Sequence, residues 1–213
     1  MTDTNIKERE QTEASRRIDQ IRSSERRRPR IPLATLCVLA VTGVMTGMQF
    51  VFPQVLPALE RTPTALADHQ WWRLMSPLLV HSDGWRQIAF NFPAILVVGF
   101  FFESIYGSKP LLPVYLVCGI AGEICGYMWQ PHGAGASIAG AGLLGAVAFW
   151  LVGRNPTIQA KFGGVGILAG GLALAFIHNI HGPPVLLGAC LGSVLPVILE
   201  PHSGPHRGRR RQP

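Results

Sequence analysis

Charge is what this sequence has least of. Asp, Glu, Lys and Arg make up 15% of its 213 residues, against roughly 25% in an average soluble domain. The shortage is confined to the middle of the chain. Residues 1–31 carry nine of the 19 Lys/Arg, the stretch from His202 to Pro213 carries four more and no acid, and only scattered charges lie between. That distribution excludes a soluble domain with a charged shell. It also argues against a nucleic-acid partner. The net charge of +7 and pI near 9.8 come from short tails beside long apolar runs, not from a basic face. Cysteine is scarce as well. Cys37, Cys118, Cys125 and Cys190 each sit inside an apolar run and none forms a C-x-x-C pair. This excludes a disulfide scaffold or a zinc site and predicts buried, reduced thiols. A signal peptide is not expected, because the first apolar run begins at Ile31, behind a long hydrophilic tail, and exceeds an h-region in length.

What the chain does have is hydrophobic residues, 48% of the total, gathered into runs near the ~20 residues that cross a bilayer. Six spans are predicted, at about 31–56, 85–106, 111–129, 135–152, 162–177 and 183–199, with Pro and Gly marking most breaks. The expected organisation is a basic tail over 1–30, a six-span all-α membrane domain over 31–200, and a basic tail over 201–213. With the N-terminus inside, inner segments hold 16 Lys/Arg and outer segments only three, Arg61, Arg73 and Arg86. The bias predicts a multi-pass protein of the plasma membrane with both termini cytoplasmic. In the long loop before the second span, Trp71-Trp72-Arg73 and Pro77-Leu78-Leu79-Val80 read as an element resting at the membrane surface. Glycine is dense, with 19 of 24 between Gly99 and Gly192. The pairs Gly122-x-x-x-Gly126, Ala141-x-x-x-Gly145, Gly166-x-x-x-Gly170 and Gly188-x-x-x-Gly192 predict close helix packing.

Polar residues at membrane depth are costly and often functional. On this topology Gln87 and Asn91 share one face at the outer start of span two, Ser137 opens span four, and His178, Asn179 and His181 lead into span six. A Ser and a His at one depth on facing helices make a nucleophile and its base, and a nearby Asn amide is a donor for an oxyanion. No carboxylate lies at that depth on a neighbouring span, so the pattern is a dyad rather than a triad. Glu103, near the inner surface, reads as half of an ordinary ion pair. Glu123, deeper, reads equally as a structural hydrogen-bonding group or a functional one. A small transporter is disfavoured by the few intramembrane charges and the lack of matched half-helices.

The order of these residues resembles the rhomboid family of intramembrane serine proteases, over about Trp71 to Leu199. Trp72-Arg73 is similar to the family's W-R, Asn91 to the Asn of H-x-x-x-N, and Glu103 to Gly107 to E-x-x-x-G. Gly135-Ala136-Ser137 is similar to the start of G-x-S-G, followed by Gly142-Leu143-Leu144-Gly145, and His181 stands seven residues before Gly188. Four positions depart from the pattern: Gln87 for His, Ile138 for the Gly after the nucleophile, Ala141 for an aromatic, and Pro184 for a Gly. The resemblance implies a six-helix bundle, Ser137 and His181 as the catalytic pair, and Asn91, Gln87 and Gly135 as oxyanion and substrate-binding positions. It implies transmembrane-helix proteins as substrates and the lipid bilayer as the surroundings, with no metal or cofactor. The departures leave a second reading, a catalytically inactive relative that binds transmembrane helices.

Overall fold

The structure, a computed structural model, describes residues 31–199. The two basic tails expected over 1–30 and 201–213 lie outside the described residues. Among the described residues seven α-helices follow one another: α1 (Leu33–Val51), α2 (Val55–Leu59), α3 (Trp85–Tyr106), α4 (Leu111–Trp129), α5 (Ser137–Gly153), α6 (Ile158–Phe176) and α7 (Gly182–Leu199). Two 3-10 turns, Trp71–Leu74 and Ser76–Leu79, lie in the long loop before α3. Among the described residues there is no strand, only an isolated antiparallel bridge between Arg61 and Gly133.

Five helices, α1, α3, α4, α6 and α7, are long and apolar enough to cross a membrane. The expected fourth span is α5, which at 17 residues falls short. At 1.5 Å per residue it covers about 26 Å, less than the ~30 Å hydrocarbon core. It starts late because the residues before it are tied elsewhere: the Gly135 N–H donates to the Pro77 carbonyl at 2.9 Å. A helix that packs on α3, α4, α6 and α7 at once is screened from lipid and need not reach both faces. Its buried residues run almost without interruption, from Ile138 through Ala148.

The outer helices are built the other way round. On α1 the buried stripe is Thr35, Thr42, Thr46 and Gln49, while Val41, Val44, Met48, Phe50 and Val51 face outward. In lipid the apolar face needs no partner and the polar groups do. Glu103 of α3, the expected ion-pair residue, instead caps α1. Its carboxylate accepts from the Thr35 N–H at 2.7 Å, the Thr35 hydroxyl at 2.6 Å and the Ser108 hydroxyl. A helix start holds N–H groups without intrahelical acceptors and favours negative charge, so an acid there is satisfied without a cation. All four cysteines are free thiols, but of the four expected to be buried only Cys118 is; Cys125 is half-buried and Cys37 and Cys190 are exposed. A small apolar thiol on a lipid-facing surface has no need of burial.

Glycine packing follows only part of the expected spacing. A Cβ on Gly188 would strike the Gly142 carbonyl, and one on Gly145 the Val185 carbonyl, so α5 and α7 touch backbone to backbone. Pro184, in place of a spacing glycine, does not separate them. Gly122 of α4 leaves the space into which Ile138 Cγ2 and Pro184 Cγ both project, so two of the four departures share one compensating gap. Gly166 and Gly170, in contrast, have nothing within 4 Å of a would-be Cβ. The packed face of α6 is carried by Gly164 against Ala148 and Gly171 against Val185. Gly188→Ala should therefore leave little folded protein after detergent extraction, whereas Gly170→Ala should be neutral or stabilise by up to about 1 kcal/mol, as Ala in a helix does over Gly. Thermal unfolding of the two variants separates the cases.

The loop between α2 and α3 is more than a surface element. Trp71, Trp72 and Met75 face outward, but Leu78 and Val80 are fully buried, Leu78 lying over Gly119. Arg73 of the W-R pair knits the loop together, donating to the Gln70 side chain at 2.6 Å and the Pro57 carbonyl at 2.9 Å. His81 closes it. The Gln49 amide brackets the His81 backbone at 2.7 and 2.9 Å, Thr46 Oγ1 lies 3.1 Å from Nδ1, and Nε2 is buried without a partner among the described residues. Burial pushes the His81 pKa from 6.5 down to about 4. Between those values the unfolded chain holds the proton and the folded chain does not. Stability should thus fall with pH from about 6.5 toward about 4, by about 1.4 kcal/mol per unit. Unfolding midpoints measured across that window, compared with His81→Gln, check the slope.

Candidate active site

Ser137 is the first residue of α5, behind a loop pinned to its surroundings. Arg61 and Gly133 exchange backbone hydrogen bonds at 3.0 and 3.3 Å. The Ala134 carbonyl accepts from Ser82 Oγ at 3.2 Å and from the Gln87 amide at 2.9 Å. Gly133 has a φ of 136°, a region L side chains rarely adopt, and a Cβ on Gly135 would overlap the Gln87 amide. Ser137 thus sits where α5 begins, with an N–H that has no acceptor four residues back.

His181 lies in the turn before α7. Asn179 donates its N–H to the Leu174 carbonyl at 2.8 Å, and His178, at a φ of 58°, sets its ring edge-on to Trp129 at 5.1 Å. That turn brings His181 Nε2 to 3.1 Å from Ser137 Oγ, across 44 residues of sequence. On its other side, His181 Nδ1 lies 3.0 Å from the Asn179 side-chain oxygen. Burial and, secondarily, the Arg61 charge hold the His181 pKa below the usual histidine range. Of the three polar residues expected ahead of the last span, only His181 faces Ser137.

Ser137 and His181 stand where two cavities meet. One, of about 240 Å³, is polar, lined by Arg61, Asp83, Gln87 and His132 among others. The other, of about 340 Å³, is almost wholly apolar. It lies between α3 and α6, with Phe90, Asn91, Ile95, Ala141 and Leu174 in its wall. Asn91 is 2% exposed and, among the described residues, its amide nitrogen has no hydrogen-bond partner. A buried donor left unpaired beside a nucleophile-and-base pair is an arrangement ready for an acceptor that develops charge. Gln87 borders the polar cavity with its amide already shared with Ala134 and its oxygen accepting from the Asp83 N–H at 3.1 Å. Gly135 contributes no free N–H, since its own is given to Pro77. Ala141, where an aromatic is usual, leaves part of the apolar cavity open.

Sequence reasoning missed the group beneath the polar cavity. Arg61 and Glu123 are 1% and 0% exposed and form a salt bridge, with Arg61 Nε also donating to the Gln130 carbonyl at 2.9 Å. Of the two even readings of Glu123, this is the structural one. The available signal was complementarity: a lone acid deep in the third span calls for a cation, and the long loop between the first two spans supplies arginines.

Fold and site together define a multi-pass helical membrane protein in which a serine at the start of one helix and a histidine in the turn before another share a polar recess of about 240 Å³. Comparison with known proteins narrows this. The family model described as Rhomboid domain matches residues 68–206. Rhomboid protease GluP of Bacillus subtilis is 41% identical over 85 residues, 39% of this chain and 17% of that protein. The putative rhomboid protease YdcA of the same organism is 34% identical over 137 residues, 61% of this chain and 68% of YdcA. Rhomboid protease GlpG of Haemophilus influenzae is 30% identical over 157 residues, 70% of this chain and 77% of GlpG. The chain belongs to the rhomboid family. Its match to GluP spans only a minor part of that longer protein.

Proposed function

We propose that this protein is an intramembrane serine endopeptidase that cuts transmembrane segments of other membrane proteins with a Ser137–His181 dyad. The single observation that carries the reading is the 3.1 Å contact between Ser137 Oγ and His181 Nε2 at the junction of a polar and an apolar cavity. Ser137 Oγ attacks the scissile carbonyl. His181 takes its proton and returns it to the leaving amine. The Ser137 N–H and the unpaired Asn91 amide hold the oxyanion, with the second N–H of Gln87 in reach of the same recess. Gly135 serves by giving Gln87 room. The apolar cavity takes substrate side chains and the polar one holds the water that deacylates the serine. A helix must unwind there, since its carbonyls are otherwise engaged.

The Lys/Arg bias supports a plasma-membrane location with both termini cytoplasmic. In that orientation the short α5 starts below the outer surface, where water reaches Ser137. The four departures from the family pattern motivate the rival reading of an inactive helix-binding protein. Against it stands the packing: Ile138 and Pro184 fit over Gly122, and Gln87 keeps a donor in place. The deciding experiment treats purified protein with a fluorophosphonate probe and a single-span substrate. Labelling and cleavage by wild type, both lost in Ser137→Ala, are expected. Equal cleavage by both proteins, or no labelling of either, overturns the proposal.

A further inference from the structure

We propose that Asn179 is the positioning residue of His181, fixing its tautomer and ring plane so that the lone pair of Nε2 points at Ser137. The inference rests on the reading of Ser137 as nucleophile and His181 as base. Asn179 Oδ1 lies 3.0 Å from the His181 backbone nitrogen and 3.0 Å from His181 Nδ1. A backbone N–H can only donate, so the Asn179 atom facing it must be the oxygen, and the amide cannot be flipped. Nδ1 faces that same oxygen, which only accepts. Nδ1 must therefore carry the ring proton. In a neutral imidazole the other nitrogen is then the acceptor, and that nitrogen stands 3.1 Å from Ser137 Oγ.

Asn179 is itself held. Its N–H donates to the Leu174 carbonyl at 2.8 Å and its carbonyl accepts from the Gly182 N–H at 3.1 Å. His178, at positive φ against Trp129, braces the turn from the preceding position. The turn thereby fixes the Asn179 backbone, from which the side-chain oxygen reaches the backbone nitrogen and Nδ1 of His181. An amide oxygen is neutral, so it orients the ring without the large rise in basicity that a carboxylate confers. The charged and titratable groups facing the same recess are Arg61, Asp83 and His132 from the loops. Gln87 and Asn91 of α3 are neutral and Leu174 of α6 is apolar. The nearby charge that bears on His181 is Arg61, and it acts to keep the ring deprotonated.

The test uses full-length protein in detergent with a single-span model substrate, comparing wild type, Asn179→Ala and Asn179→Asp, with Ser137→Ala as the inactive reference. Asn179→Ala should lower kcat at least ~10-fold with KM changed less than about twofold, because it removes orientation of the base rather than substrate contacts. Asn179→Asp keeps both acceptor contacts and adds a charge. It should retain most of kcat and move the acid limb of the pH–rate profile upward, as the carboxylate stabilises the imidazolium. Nitrogen-15 NMR of the histidine ring gives a readout independent of turnover. Wild type should show the Nδ1–H form, and Asn179→Ala a mixture with Nε2–H. Unchanged kcat and tautomer in Asn179→Ala overturn the proposal. So does an equal loss in both variants accompanied by an equal drop in Tm, which marks a turn-forming role only. If wild type shows no Ser137-dependent cleavage, the protease reading fails, and the tautomer measurement still decides the assignment of Asn179.

Discussion

Alanine at Ser137, at His181 or at both should reduce cleavage of a transmembrane substrate by the same factor, on the order of 10⁴ or more. The equality is the informative part. A hydroxyl is a weak nucleophile until a base takes its proton, and an imidazole without the hydroxyl has nothing to activate. Because Nε2 and Oγ face each other at 3.1 Å, each group's contribution is conditional on the other, and their losses do not add. Residual cleavage in all three variants reflects what the oxyanion donors and substrate binding supply alone. Asn91→Ala, which removes a buried amide donor unpaired among the described residues, should cost ~10²–10³ in kcat in the wild-type background, and in the Ser137→Ala background it should lower the residual rate that the oxyanion donors supply. Rates from a quenched single-span substrate across the set measure the coupling. Additive losses for Ser137→Ala and His181→Ala would mean that the two side chains do not act as a unit.

Arg61→Met should destabilise the fold by roughly 3–5 kcal/mol, the usual penalty for leaving one member of a buried ion pair uncompensated. Glu123 is fully buried and, among the described residues, its other oxygen has no hydrogen-bonding partner, so no second cation stands ready to replace Arg61. Arg61 also anchors the loop before α5 through its bond to the Gln130 carbonyl and its backbone bridge to Gly133. Its loss should therefore loosen the segment that leads into Ser137. The double variant Arg61→Met with Glu123→Leu should recover most of the loss, since two apolar groups of similar volume leave no buried charge. Thermal unfolding in detergent gives the stabilities, and cleavage rates show whether the recovered fold recovers its site. If the single and double variants melt alike, the pair is not what holds the loop.

Much of this organisation is written in local sequence. Hydropathy locates the helices because a bilayer demands ~20 apolar residues wherever a chain crosses it, and that rule needs no knowledge of neighbours. The sidedness of the basic residues places Ser137 and His181 at one end of the bundle by topology, before any contact is known. What hydropathy finds to within two residues but does not explain is the shortness of α5. A helix surrounded by four others obeys packing rather than bilayer thickness, and its late start is decided by a hydrogen bond from Gly135 to Pro77, 58 positions earlier. The same limit explains the glycines. Gly166-x-x-x-Gly170 and Gly188-x-x-x-Gly192 have the same spacing, yet only the second meets a backbone, because spacing marks a face and not what the face touches.

The sequence by itself determined that this is a multi-pass helical protein, which residues carry polar chemistry into the membrane, and the order in which they come. Tertiary structure alone decided that Ser137 meets His181, that Asn179 stands behind the imidazole, that Glu103 caps α1, and that Arg61 is buried on Glu123. The division has a physical cause. Crossing a bilayer is a contest between one segment and its solvent, settled residue by residue. Which polar groups find each other depends on distances of about 3 Å between helices far apart in the chain, and those are set only when the whole bundle packs.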